Sequence, residues 1–130
     1  MPKSVLIVDD SAAFRKATRY LIETQAGLQV CGEAVNGSDA IEKAQQFRPD
    51  LIVLDLLMPV MNGLAAARTL KEVMPTVPII AFTLYQDMVS ESGLQAMGFS
   101  AIISKAEPMQ LVRHARSLLQ GGLNSSNLHG

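Results

Sequence analysis

Sulfur chemistry and membrane insertion are the first things this chain lacks. It has one cysteine, Cys31, so no internal disulfide is possible and a reducing compartment is expected. Cys31 lies in an apolar segment, the setting of an inert buried thiol rather than of a nucleophile or ligand. No apolar run approaches the length of a membrane span. The start, Met1-Pro2-Lys3-Ser4, leads straight into a strand and leaves no room for a leader peptide. Charge of one sign is missing too: the formal net charge is -1, which gives no basic field for nucleic acid or an anionic membrane. A cytoplasmic protein is expected, touching neither nucleic acid nor membrane through this domain.

What is present suffices for one core. Apolar residues make up 48% of 130 residues, enough for a single domain. Five apolar runs are expected as strands: Val5-Leu6-Ile7-Val8, the weaker Leu28 to Ala34, Leu51-Ile52-Val53-Leu54, Pro78 to Phe82, and Ala101-Ile102-Ile103. Gly32 interrupts the second and suggests a place near the sheet edge. Helical patterns separate the runs. The first starts at the cap Ser11, with Phe14, Ala17 and Leu21 as its apolar stripe, and ends at Gly27. In the second, Ala40, Ile41, Ala44 and Phe47 form the buried face, after a turn at Asn36-Gly37-Ser38. Asn62 caps the third, with Leu64, Ala67, Leu70 and Met74 inward. Gln86 to Ala96 is a poor helix because of Ser90, Ser92 and Gly93. Pro108 opens the last, whose apolar face is Leu111, Val112, Ala115, Leu118 and Leu119. The domain is expected over residues 1–120, with 121–130 a flexible tail or linker start. Alternating strands and helices predict a doubly wound α/β fold with a parallel sheet.

Four strands end in groups able to do chemistry: Asp9-Asp10, Asp55, Thr83 and Lys105. Parallel strand ends share one edge of a sheet, where such folds bind ligands. If the strand order is 2-1-3-4-5, Asp9, Asp10 and Asp55 meet in one crevice. Two like charges 4 Å apart repel by about 4 kcal/mol at an effective dielectric near 20. A cation or a retained proton must relieve that repulsion. Oxygen-only ligands favour Mg²⁺, with Mn²⁺ as the substitute. A carboxylate, a hard cation, a hydroxyl and an ammonium make a phosphoryl site. Asp55 would attack phosphorus, Lys105 would hold the equatorial oxygens, and Thr83 would bond an oxygen after transfer. Taken singly, each residue has an ordinary explanation as a cap, a turn or a solvated charge. Four strand tips with complementary groups make coincidence the weaker account.

These residues resemble the receiver domain of two-component response regulators. The matching stretches, in order, are Val-Leu-Ile-Val-Asp9-Asp10-Ser, Pro-Asp50 through Asp55-Leu-Leu-Met-Pro59 to Gly63, Phe-Thr83 and Ile-Ile-Ser-Lys105. They span about Lys3 to Gln120. The resemblance implies a flavodoxin-like fold with five strands ordered 2-1-3-4-5 and five helices. It implies that Asp55 is a phosphoacceptor, supplied by a sensor histidine kinase or a histidine phosphotransfer protein. It assigns Mg²⁺ to Asp10, Asp55 and the backbone carbonyl of Leu57, with Asp9 acting through water. Thr83 becomes the switch and Lys105 the clamp. Output would pass through helix 4, strand 5 and helix 5, by homodimerisation or another partner, with Leu84, Met88, Val89 and Met97 as candidates. The donor would dock around the first helix, near Arg15, Lys16 and Arg19. Such a domain is no enzyme beyond its own phosphorylation and slow autodephosphorylation.

The chain departs from that family at two places. Ile102 stands where an aromatic switch is usual, and Tyr85 is a possible substitute. Ala106 replaces a common proline, so no cis bond is expected after Lys105; Lys105-Ala106-Glu107-Pro108 resembles receivers joined to helix-turn-helix output domains. Leu57 and Tyr85 border the path of a hydrolytic water and suit slow phosphoryl loss. Two rival readings are a Mg²⁺-dependent phosphohydrolase of the haloacid-dehalogenase type and a pseudo-receiver that only binds. The first wants an acid where Leu57 stands, and a cap domain. The second has no need to tolerate the clustered charge.

Overall fold

The computed structural model describes residues 3–84 and 90–129, with side chains to Leu119. Five strands, β1 (Ser4–Val8), β2 (Gln29–Ala34), β3 (Leu51–Leu54), β4 (Ile79–Thr83) and β5 (Ala101–Ser104), form one sheet in the order β2-β1-β3-β4-β5. Every pairing is parallel. The helices are α1 (Ala12–Tyr20), α2 (Gly37–Phe47), α3 (Gly63–Val73), α4 (Glu91–Ala96) and α5 (Pro108–His129). The expected flavodoxin-like topology is therefore the observed one.

All four residues of β3 are buried, as its unbroken apolar run requires in a sheet covered on both faces. Side chains alternate across the sheet and feed two cores. Leu6, Val8, Ile52, Leu54 and Ala81 pack with α2, α3 and α4. Val5, Ile7, Leu51, Val53, Ile80 and Phe82 pack on the opposite side, with Leu111, Val112 and Ala115 of α5. The edge strand β2 carries an irregularity: Val5 pairs with Val30 but Leu6 with Gly32, so Cys31 is the extra residue of a bulge.

Side-chain caps set the helix starts, at Ser11, Asn36 and Asn62 as the sequence predicts and at Ser90, which the sequence reading placed inside a helix. Ser11 accepts from the Phe14 N–H, Asn36 from Asp39, Asn62 from Ala65 and Ser90 from Gly93. Among the described residues no peptide bond is cis.

Three expectations need correction. The stripe Phe14, Ala17 and Leu21 is not the inner face of α1. Thr18 of α1 and Ile22 of the π-helical turn that continues it, Leu21–Gln25, are the buried residues there, and Ala26 continues their spacing of four. The helix is turned one position from the predicted phase because a threonine, not an apolar residue, faces the sheet. Phe47 is 41% exposed. Its ring lies over the bulged strand, where a Cβ on Gly32 would come within 2.8 Å of it. Leu118 is 39% exposed rather than part of the face that α5 buries. The backbone of α5 continues helically through Gly121 and Gly122 to His129. In α4 only residues from Glu91 on belong to a described helix; Tyr85, Gln86, Met88 and Val89 lie outside the described residues.

Candidate phosphoryl site at the carboxyl edge

Register brings the acids together. Val8 and Leu54 are paired neighbours, so Asp9 and Asp55 follow at adjacent tips. Their backbones are pinned by bonds of 3.0 Å, Asp9 N–H to the Ala34 carbonyl and Asp55 N–H to the Val8 carbonyl. Asp9 and Asp55 are buried, Asp10 is exposed, and oxygens from all three lie within 4.8 Å of one another.

Lys105 arrives from the far side. Its N–H bonds the Thr83 carbonyl at 2.9 Å, which fixes the chain at the β5 tip. The side chain then crosses the β4 end. Its Nζ meets Asp9 Oδ2 at 2.6 Å and Asp55 Oδ2 at 3.1 Å, and only 4% of it is exposed. The remaining Asp9 oxygen accepts from the Ser11 N–H at 2.9 Å. Asp55 Oδ1 faces the Leu57 N–H at 3.4 Å. Thr83 is fully buried one residue past Phe82, at the β4 tip.

One ammonium does not neutralise three carboxylates. Burial raises the Asp9 pKa above the ordinary carboxylate value, and the nearby Asp55 charge pushes the same way. The bonds from Lys105 and Ser11 only partly offset this. An all-oxygen donor set with uncompensated negative charge suits a hard divalent cation such as Mg²⁺. Asp9, Asp10 and Asp55 are the side chains that could hold one.

The loop after Asp55 is folded back at Gly63. Gly63 donates to the Leu56 carbonyl at 3.0 Å, and a Cβ there would strike the Asp55 carbonyl oxygen. Leu57 and Val60 on this loop are exposed, and Val60 has φ +69°, a left-handed conformation that strains a β-branched residue.

The first helix plays a part that its charges alone did not reveal. Arg15 Nε bonds Glu33 at 3.0 Å, and its Nη1 reaches the Asp9 carbonyl at 2.8 Å. Arg19 bonds the other Glu33 oxygen at 2.8 Å. Glu33 feels burial, which raises its pKa, but the two guanidinium partners outweigh it and leave the pKa lowered. So Arg15 and Arg19 are largely committed to holding the β1–α1 turn, whereas Lys16 is exposed. Sequence reasoning missed Glu33. The available signal was a single acid on the edge strand facing two arginines four residues apart.

The displaced stripe of α1 has a role of its own. Phe14, Ala17 and Leu21, with Tyr20, Phe82 and Pro108, line a groove of about 610 Å³ that ends on Lys105. His114, on α5, is half-buried and bonds the Gln110 carbonyl through Nδ1 at 2.9 Å.

A doubly wound α/β domain with acids at the two switch-point tips and a lysine bridging them is a phosphoryl-handling class of module. The response regulator receiver domain model matches residues 5–116, and the chain belongs to that family. It is 36% identical to a protein-glutamate methylesterase/protein-glutamine glutaminase of Methanococcoides burtonii, over 92% of this chain and 36% of that protein. A protein of the same description from Methanosarcina acetivorans is 41% identical over 75% of this chain and 28% of its own length. The chain thus spans between a quarter and two fifths of these relatives. Among solved structures, the response regulator domain of Thermotoga maritima CheB aligns with a TM-score of 0.80 at 26% identity, covering 95% of this chain and 98% of that one. A LuxR-family response regulator from Aurantimonas sp. SI85-9A1 gives 0.83 at 26%, covering 93% and 87%. Among the described residues no helix is long and apolar enough to cross a membrane.

Proposed function

We propose that Asp55 accepts a phosphoryl group from a phosphohistidine on a sensor kinase or phosphotransfer protein, and that the gain of charge reshapes the β4–α4–β5–α5 side. The observation that carries this reading is the shared ammonium: Lys105 holds Asp9 and Asp55 at 2.6 and 3.1 Å beside the open Asp10.

In the reaction an Asp55 oxygen forms a bond to phosphorus as the P–N bond to imidazole breaks. The leaving imidazole takes up a proton. Lys105 exchanges its Asp55 contact for a phosphoryl oxygen, so charge that grows on that oxygen meets a cation already in place. The Thr83 hydroxyl turns to another phosphoryl oxygen and draws the end of β4 with it. Asp10, Asp55 and the Leu57 carbonyl, with Asp9 behind, would hold Mg²⁺, which would supply neutralising charge there. Mn²⁺ would serve as well.

The donor is proposed to dock on the α1 groove, whose apolar floor ends at Lys105. Output is proposed through α4, β5 and α5, by homodimerisation or by contact with an output domain or separate partner. The acting unit is residues 1–120, with 121–130, helical in its backbone to His129, as tail or linker start, and it works in the cytoplasm. Leu57, half-exposed two residues past the acceptor, is apolar and offers no acid or amide of its own to orient water, which favours slow phosphoryl loss.

The test is acetyl phosphate with and without Mg²⁺, read by intact mass. Wild type should gain one phosphoryl group only with the metal, and Asp55→Asn should gain none. Equal gain by the variant would refute the reading.

A further inference from the structure

We propose that Phe14 is a positioning residue for Lys105, its ring forming the seat that aims the ammonium at the Asp9 and Asp55 pair. The functional part of this rests on the proposed phosphoryl reading; the geometric part does not.

The Lys105 Nζ lies 4.0 Å from the Phe14 ring centroid. A lysine ammonium has three N–H donors and no fixed plane, so two carboxylate contacts leave one direction open. Here that side is met by the ring. The negative face of an aromatic ring attracts a cation, more strongly where water is excluded. Water is largely excluded, since the Lys105 side chain is 4% exposed. A leucine at the same place would fill space but supply no quadrupole. The ammonium would then tilt toward water entering from the groove that Phe14 and Lys105 line together.

The seat is anchored by the same groups that fix the acids. The Phe14 N–H bonds the Ser11 cap, and the next residue, Arg15, bonds the Asp9 carbonyl. Ring, Asp9 and ammonium are therefore referenced to one short segment, residues 9–15. A lysine at the end of β5, three strands from β1 in the sheet order, needs such a reference. Its own backbone N–H is tied to the β4 tip, through the Thr83 carbonyl.

Phe14 also lines the groove proposed for the donor, so loss of docking must be separated from loss of aim. Acetyl phosphate is too small to use the groove and provides that separation. The variants are Phe14→Leu, Phe14→Met as a second apolar replacement, and Phe14→Tyr as the conservative rescue, each checked for cooperative thermal unfolding. Two quantities are read. The first is the Lys105 side-chain proton shift in metal-free protein, assigned by its disappearance in Lys105→Arg. The ring should displace these protons upfield in wild type and Phe14→Tyr but not in Phe14→Leu or Phe14→Met. The second is the rate of acetyl phosphate labelling in Mg²⁺. It should fall by about three- to tenfold in the apolar variants and stay within about twofold in Phe14→Tyr.

A folded Phe14→Leu or Phe14→Met variant with wild-type labelling overturns the proposal, as do Lys105 protons that do not move. Equal slowing in Phe14→Tyr also overturns it, because packing alone would then be the cause. If wild type takes no label at all, the phosphoryl reading fails, and the proton shifts alone decide whether the seat exists.

Discussion

On the β2–β1–β3 side of the sheet, charged side chains tie helix to strand. Arg15 and Arg19 share Glu33, Arg19 also meets Glu23, and Lys43 pairs with Asp39 while donating to the Glu33 carbonyl. On the β4–β5 side, α4 has six residues with Gly93 among them. Beyond Asp55, Lys105 is the one residue in an ion pair among the described residues. The contrast separates two tasks. The braced half holds Asp9 and Asp55 at fixed separation, which a metal and an incoming phosphoryl group require. The sparsely tied half can change its packing at small energetic cost. Lys105 joins them, so altering what Asp55 offers that ammonium is felt on the β5 side first.

The largest effect should come from filling the acid cluster. Saturating Mg²⁺ at a hundredfold above its Kd should stabilise the fold by about 2.7 kcal/mol, read as a rise in Tm. Asp10→Asn, at an exposed position, should melt like wild type without metal and lose most of that rise. An undiminished rise would place the cation elsewhere.

Cutting the brace comes next. Glu33→Gln should lower stability in urea by about 1 kcal/mol, discounted for the partial exposure of the pair. The sign with pH follows from the lowered folded-state pKa. The Glu33 contribution is present above the ordinary glutamate value of 4.5 and fades as pH falls through the lower folded value. Wild type and variant should therefore differ at neutral pH and converge in acid. A difference that grows in acid would contradict the clamp.

The finest comparison uses two caps of the same kind. Asn62→Ala and Ser90→Ala each remove one side-chain bond at a helix start, an effect of about 0.5–1 kcal/mol. In hydrogen exchange, Asn62→Ala should lower protection across the sheet, since α3 packs in the core. Ser90→Ala should speed exchange in α4 with little change elsewhere. Equal spread of both effects would erase the distinction between the halves.

Strand tips were legible in the sequence because a buried parallel strand is an unbroken apolar run, and its end is marked by the first polar or charged residues. That is how Asp9, Asp55, Thr83 and Lys105 could be placed on one edge before any coordinates. The phase of α1 was not legible: Thr18 turns inward, and the apolar Phe14, Ala17 and Leu21 face a groove instead. Glu33 was missed because an acid on a weak edge strand reads as solvated until the helix carrying its arginines is docked. Phe47 was read as core because periodicity reports a helix face, not the strand edge that the face meets at Gly32.

The central claim is that the carboxylate at the β3 tip is the atom that takes the phosphoryl group. Borohydride reduction of acetyl phosphate-treated protein converts an aspartyl phosphate to homoserine, which peptide sequencing by mass spectrometry then locates. The account predicts conversion at Asp55, dependent on Mg²⁺ and slowed by Lys105→Ala. Conversion at Asp9 or Asp10, or none in a sample whose intact mass shows the added group, would contradict it.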